Sequence, residues 1–163
     1  MKTDKIASDV VAAFREKGLT LATAESCTGG GVGHAVTAVS GSSSVYLGGI
    51  VSYANAVKEN VLKVPAATLQ TKGAVSEETA YAMAIGAREL IGADVVVSIT
   101  GIAGPLSDDT KKPVGLVYIG VATEKGVVVK ENHFDGDREA VREQSICTAL
   151  AMILENIKKE GRS

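Results

Sequence analysis

Residues 94–100 read DVVVSIT, with Gly92 before them and Gly101 after. So short and apolar a run is expected of a central strand covered on both faces. A strand of that kind needs a packed layer on either side, so the rest of the chain must supply helices with apolar stripes. It does. Residues 3–17 carry Ile6, Val10, Ala13 and Phe14 at helical spacing, with Thr3 or Asp4 as a cap and Gly18 as the stop. Ser76 is a good N-cap, with Glu77 and Glu78 in the first turn. The helix it opens runs to about Ile91 with Ala80, Met83, Ala84, Ala87 and Leu90 inward, and Gly92 closes it. Asp137 caps a last helix to about Lys159, with Val141, Ile146, Ala149, Leu150, Ile153 and Leu154 inward.

Further strands are expected at Leu19 to Ala24 and Tyr46 to Tyr53. A hairpin of Leu116 to Thr123 and Val127 to Phe134 turns at Glu124-Lys125-Gly126. A helix to about Val39 should follow the glycine-rich turn Ser26–Gly31, and a short one should cover Asn55 to Leu62, a unit ended by Pro65. Alternating strands and helices predict an α/β fold. The late hairpin must be antiparallel, so the expectation is a single-domain three-layer α/β/α sandwich over 1–163 with a mixed sheet.

At 163 residues the chain can bury a core without disulfides or metal. Its net charge of −2 gives no global attraction to nucleic acid or anionic lipid. Cys27 and Cys147 lie far apart, as do His34 and His133, so metal-ligand spacing is absent. No run reaches the roughly 20 apolar residues of a membrane span, and Met1–Lys5 lacks the apolar core of a signal peptide. The expectation is a cytosolic protein with reduced thiols.

In such sheets ligands collect at the carboxyl ends of strands. Three segments follow predicted strands: Glu25–Gly30 (ESCTGG), Ser52–Asn55 (SYAN) and Thr100–Pro105 (TGIAGP). The first puts Ser26 at a strand-to-helix turn, where a hydroxyl points outward beside free backbone N–H groups. Either Ser26 is a nucleophile, or Ser26 or Thr28 merely caps the helix and the glycines tighten the turn. No histidine lies in these segments. The remaining base is Lys58, five residues from Tyr53, provided that burial lowers its pKa; otherwise it is a solvated helix lysine. Cys27 is intrinsically the better nucleophile, yet burial is the common fate of a free cysteine. Residues 29–34 (GGGVGH) do not complete GxGxxG and no GxxxxGK[ST] occurs, so neither nucleotide fingerprint is present. A phosphate can still sit at a helix N-terminus helped by Arg138 or Arg142.

Six stretches in order resemble the C-terminal domain of the CinA (competence/damage-inducible protein) family, also called nicotinamide-nucleotide amidase. They are AESCTGG at 24–30, GGIVSYANAVKENVL at 48–62, TLQTKGAVSEETA at 68–80, SITGIAGP at 98–105, KPVGLVYIG at 112–120 and FDGDREAVR at 134–142. The resemblance implies a compact, usually oligomeric α/β sandwich. It implies hydrolysis of nicotinamide mononucleotide to nicotinic acid mononucleotide and ammonia, with no metal and no other cofactor. It places catalysis on Ser26, Tyr53 and Lys58, and substrate binding on Thr100 and Arg138. With them, the backbone N–H groups around Thr28, Gly29 and Gly30 are expected to stabilise the oxyanion, and Gly101 to line the substrate site. The expected partner is a small nucleotide, with a homo-oligomer and neither nucleic acid nor membrane. The chain begins directly at this domain, which reads as a stand-alone form. After TGIAGP the family commonly has one residue and two glycines, whereas here Leu106-Ser107-Asp108-Asp109 follow. Such a change bears on substrate, because lost glycines restrict backbone approach and added carboxylates repel phosphate. Two other readings fit: a pyridine-nucleotide sensor without turnover, and an amidase for another small carboxamide.

Overall fold

A computed structural model describes residues 2–107 and 111–158. Five strands form one sheet in the order β2-β1-β3-β4-β5. They are β1 (Leu21–Glu25), β2 (Tyr46–Val51), β3 (Val95–Gly101), β4 (Leu116–Thr123) and β5 (Gly126–His133). β1 runs parallel to both β2 and β3, while β3–β4 and β4–β5 are antiparallel. The sheet is therefore mixed, as the hairpin required.

Six α-helices and one 3₁₀ turn (Ser42–Ser44) complete the described elements: α1 (Lys2–Lys17), α2 (Gly31–Thr37), α3 (Asn55–Asn60), α4 (Ala66–Thr71), α5 (Glu77–Ile91) and α6 (Arg138–Ile157). α1, α2 and α6 cover one face, packing Val10, Phe14, Val36, Leu150 and Ile153 against Leu21, Val97 and Ile99. α5 and the α3–α4 segment cover the other, where Met83, Ala84, Ala87, Leu62 and Val64 meet Ala22, Ala24 and Val96. β3 is buried along its whole length except Gly101. Its residues alternate between layers: Val95, Val97 and Ile99 enter the first core. Ser98 instead donates its hydroxyl to Ala80 O at 2.7 Å and Thr100 to Ala74 O at 2.7 Å. A strand covered twice thus spends two polar side chains tying the second layer down.

The fold departs from the sequence reading in places. Pro65 does more than end a unit: it stands at the N-cap of α4, a helix that the sequence analysis left out. Six residues with no buried side chain offer no apolar stripe to recognise. Leu90 is 56% exposed and does not face inward. The inner stripe of α5 runs Ala80, Ala84 and Ala87 and ends on the partly buried Ile91, one residue later. α2 stops at Thr37 rather than Val39, and the predicted end of α6 at Lys159 lies outside the described residues. Gly86 marks a contact with no signature in the local pattern. A Cβ there would collide with the backbone carbonyl of Leu62, so α5 can approach the α3–α4 segment only at a glycine.

Candidate active site

The parallel arrangement brings the carboxyl ends of β1, β2 and β3 together. There a cavity of about 250 Å³ is lined by Ser26, Cys27, Tyr53, Lys58, Thr100, Gly101 and Arg138, with walls from 74–75, 102–104 and 106–107. Each of the three polar segments contributes to it.

Ser26 follows β1 directly. Its N–H donates to Ile99 O at 2.9 Å, so the turn is still tied to β3 as the chain leaves the sheet. Glu25, the last residue of β1, is 1% exposed, and its carboxylate points under the turn. One oxygen accepts from Thr28 Oγ1 at 2.6 Å and Val32 N at 2.9 Å; the other accepts from Gly33 N at 3.0 Å. The first turn of α2 thus receives a carboxylate where its unsatisfied N–H groups and dipole favour one. Glu25 stands in the ESCTGG motif, where residue type alone assigns it no task. The signal was there: a carboxylate three residues before a threonine and just ahead of a helix start.

Lys58 comes from α3 and is 1% exposed. Its Nζ lies 2.9 Å from Ser26 Oγ, 2.6 Å from Ser52 O and 3.1 Å from Tyr53 O. No carboxylate pairs with it among the described residues. Burial lowers its pKa to about 8, opposed only by a smaller effect of Cys27. A neutral amine has two hydrogens and one lone pair. The two hydrogens match the two carbonyls, which leaves the lone pair for the Ser26 hydroxyl. The ammonium form instead donates all three hydrogens, one of them to Ser26 Oγ, so only the base form offers the serine an acceptor.

The neighbouring thiol is the poorer candidate. Cys27 also lines the cavity, but burial pushes its pKa up to about 11, which keeps it protonated near neutral pH and so a weak nucleophile.

The other site residues divide. Lys58 meets Tyr53 through its backbone carbonyl, not its phenol. The Tyr53 ring is 62% exposed, and its hydroxyl accepts from Arg138 Nη2 at 3.2 Å. Arg138 also donates through Nη1 to Gly104 O at 2.8 Å. Thr100 and Gly101 stand at the wall, with the Thr100 proton committed to Ala74 O. Thr28, Gly29 and Gly30 are not among the lining residues. The Gly29 N–H donates to Ser26 O at 3.0 Å, and Gly30, at φ 100, is the left-handed N-cap of α2. Leu106 is 84% exposed at the mouth, whereas Asp108 and Asp109 lie outside the described residues. Among the described residues, no group of three or more His, Cys, Asp and Glu side chains converges as a metal site would require. No helix there is long and apolar enough to cross a membrane.

Comparison with known proteins agrees with this architecture. Residues 3–157 match the CinA C-terminal domain family. A CinA-like protein of Geobacter sulfurreducens is 52% identical over 137 residues, covering 84% of this chain and 33% of its own length. A CinA-like protein of Synechococcus sp. strain RCC307 is 48% identical over 153 residues, covering 92% of this chain and 36% of its own. The chain thus spans about a third of the length of these relatives. Among solved structures, the competence/damage-inducible protein CihA of Agrobacterium tumefaciens superposes with a TM-score of 0.91 at 39% identity, over 95% of either chain. The competence damage-inducible protein A of Klebsiella pneumoniae gives 0.95 at 34% identity, over 97% of this chain and 98% of its own. On the family match, the shared sequence and the shared fold, this chain belongs to the CinA C-terminal domain family.

Proposed function

We propose that the chain is a serine amidohydrolase that converts nicotinamide mononucleotide to nicotinic acid mononucleotide and ammonia, with Ser26 as nucleophile and Lys58 as base. The observation that carries this reading is the buried Lys58 Nζ, 2.9 Å from Ser26 Oγ and held by two carbonyls. A nucleophilic serine needs a positioned base within hydrogen-bond reach, and a lysine serves once its pKa falls toward neutrality.

Ser26 Oγ attacks the carboxamide carbon while its proton passes to Lys58 Nζ. The tetrahedral intermediate collapses as Lys58 returns that proton to the departing nitrogen, which leaves as ammonia. Water then gives a proton to Lys58, attacks the ester carbon and frees the acid with Ser26 restored. Tyr53 contributes an exposed ring at the mouth and holds the Arg138 guanidinium rather than the serine proton. The N-terminus of α2 is already occupied by Glu25. A substrate phosphate is therefore better served by Arg138, at the start of α6 and open to solvent.

The test is ammonia release from the mononucleotide, with free nicotinamide and nicotinamide riboside alongside. Turnover of the mononucleotide by the wild type, lost in Ser26→Ala and Lys58→Ala, is the expected result. A protein whose melting temperature rises with nucleotide but which releases no ammonia would be a sensor and would overturn the reading.

A further inference from the structure

The peptide groups that follow Ser26 are held from outside the turn by one side chain. Arg142 lies on α6, one turn beyond Arg138. Its Nε donates to Cys27 O at 3.1 Å and its Nη2 donates to Thr28 O at 3.2 Å. Two successive carbonyls are thus gripped by one planar fork, which a lysine cannot reproduce. Gly29 sits against this fork with φ +59°, a backbone conformation that favours glycine, and a Cβ there would come to 3.4 Å from Arg142 Nη2.

The two peptide units have four polar ends. Both carbonyls are on Arg142. The Gly29 N–H is on Ser26 O. The fourth end, the Thr28 N–H, has no acceptor among the described residues. In a trans peptide the N–H points opposite to the C=O. Fixing Cys27 O on Arg142 therefore fixes the direction of the Thr28 N–H, away from α6. A nucleophile turn held in advance is worth rate, because a misplacement of about 1 Å at the reacting atoms can cost about 100-fold.

We propose that Arg142 is a positioning residue that sets the turn after Ser26, holding the Ser26 hydroxyl and the backbone beside it in the geometry that attack requires. This rests on the serine-hydrolase reading above. It assigns Arg142 a task distinct from that of Arg138, which lines the cavity.

The experiment measures kcat and KM for ammonia release in Arg142→Met and Arg142→Lys, together with the rate at which a fluorophosphonate labels Ser26. Labelling needs the same nucleophile and a phosphonyl oxygen in the same place, but no carboxamide. Losing the alignment of the turn should lower kcat and the labelling rate about 10- to 100-fold in Arg142→Met. KM and the midpoint of the pH profile should stay where they are. Arg142→Lys keeps the charge but not the fork, so it too should lose kcat, and it carries the test if the Met variant does not fold. A rise in KM with kcat unchanged would make Arg142 a ligand for the substrate's anion and overturn the proposal. Wild-type labelling rates in both variants would also overturn it. If the wild type labels but releases no ammonia, the substrate assignment fails while labelling rates still decide the role of Arg142. A wild type that neither labels nor turns over would sink both.

Discussion

At the scale of single residues, the site is a matter of which hydrogens are already spent. Lys58 has three neighbours for three positions, and only its neutral form gives the serine an acceptor. Because burial lowers its pKa to about 8, the active base fraction grows as pH rises through that value. The expected kcat/KM therefore climbs from pH 6.5 and levels off above about 9; a flat profile across that range would remove Lys58 from the role. Cys27 provides a second check. With its thiol pushed up to about 11, Cys27→Ala should keep ammonia release within a few-fold of the wild type, and a loss as deep as that of Ser26→Ala would reassign the nucleophile. Part of this was legible beforehand. Ser26, Lys58 and the absence of a nearby histidine could be read from the sequence, and the family resemblance pointed to the same pair. The division between the backbone and the phenol of Tyr53 could not, because which atom of a residue faces a neighbour is set by the strand end and not by residue type. Arg142 was seen only as a possible phosphate ligand, since its partners are carbonyls more than a hundred positions away.

At the scale of elements, the nucleophile turn depends on how α2 begins. Glu25 satisfies the N–H groups of Val32 and Gly33 and the hydroxyl of Thr28 from a buried position. Glu25→Ala would leave those donors buried and unpaired, so a destabilisation of about 1–3 kcal/mol per orphaned group is expected in denaturant melts. Glu25→Gln keeps one acceptor oxygen and should lose less. Strongly periodic elements were readable for an ordinary reason: α1, α5, α6 and β3 each repeat an apolar contact often enough to leave a pattern. α4 has six residues and no buried side chain, so nothing repeats. Leu90 was misplaced because a stripe at 80, 84 and 87 can continue to 90 or 91, and the choice depends on where the sheet ends.

At the scale of the whole molecule, a lysine 1% exposed and without a carboxylate partner among the described residues burdens folding. Its pKa is lower in the folded chain than its ordinary value near 10.4, so the folded state resists protonation. The burden is full below about pH 8 and is relieved as pH rises from there toward 10.4. Lys58→Met removes that dependence. Its melting temperature relative to the wild type should be highest near pH 7 and fall by pH 9.5; a gap that does not change with pH would contradict the burial argument. The sheet also separates its two ends cleanly. The cavity takes Thr100 and Gly101 from the end of β3, Ser26 and Cys27 from just past β1 and Tyr53 from just past β2, whereas β4 runs antiparallel to β3 and carries the chain away to the turn at Glu124 and Lys125. That turn is a natural handle for anyone who wishes to graft, label or immobilise the protein. A tether or fluorophore attached there hangs from the far rim of the sheet, leaving the mouth beside Tyr53 and Leu106 open to solution.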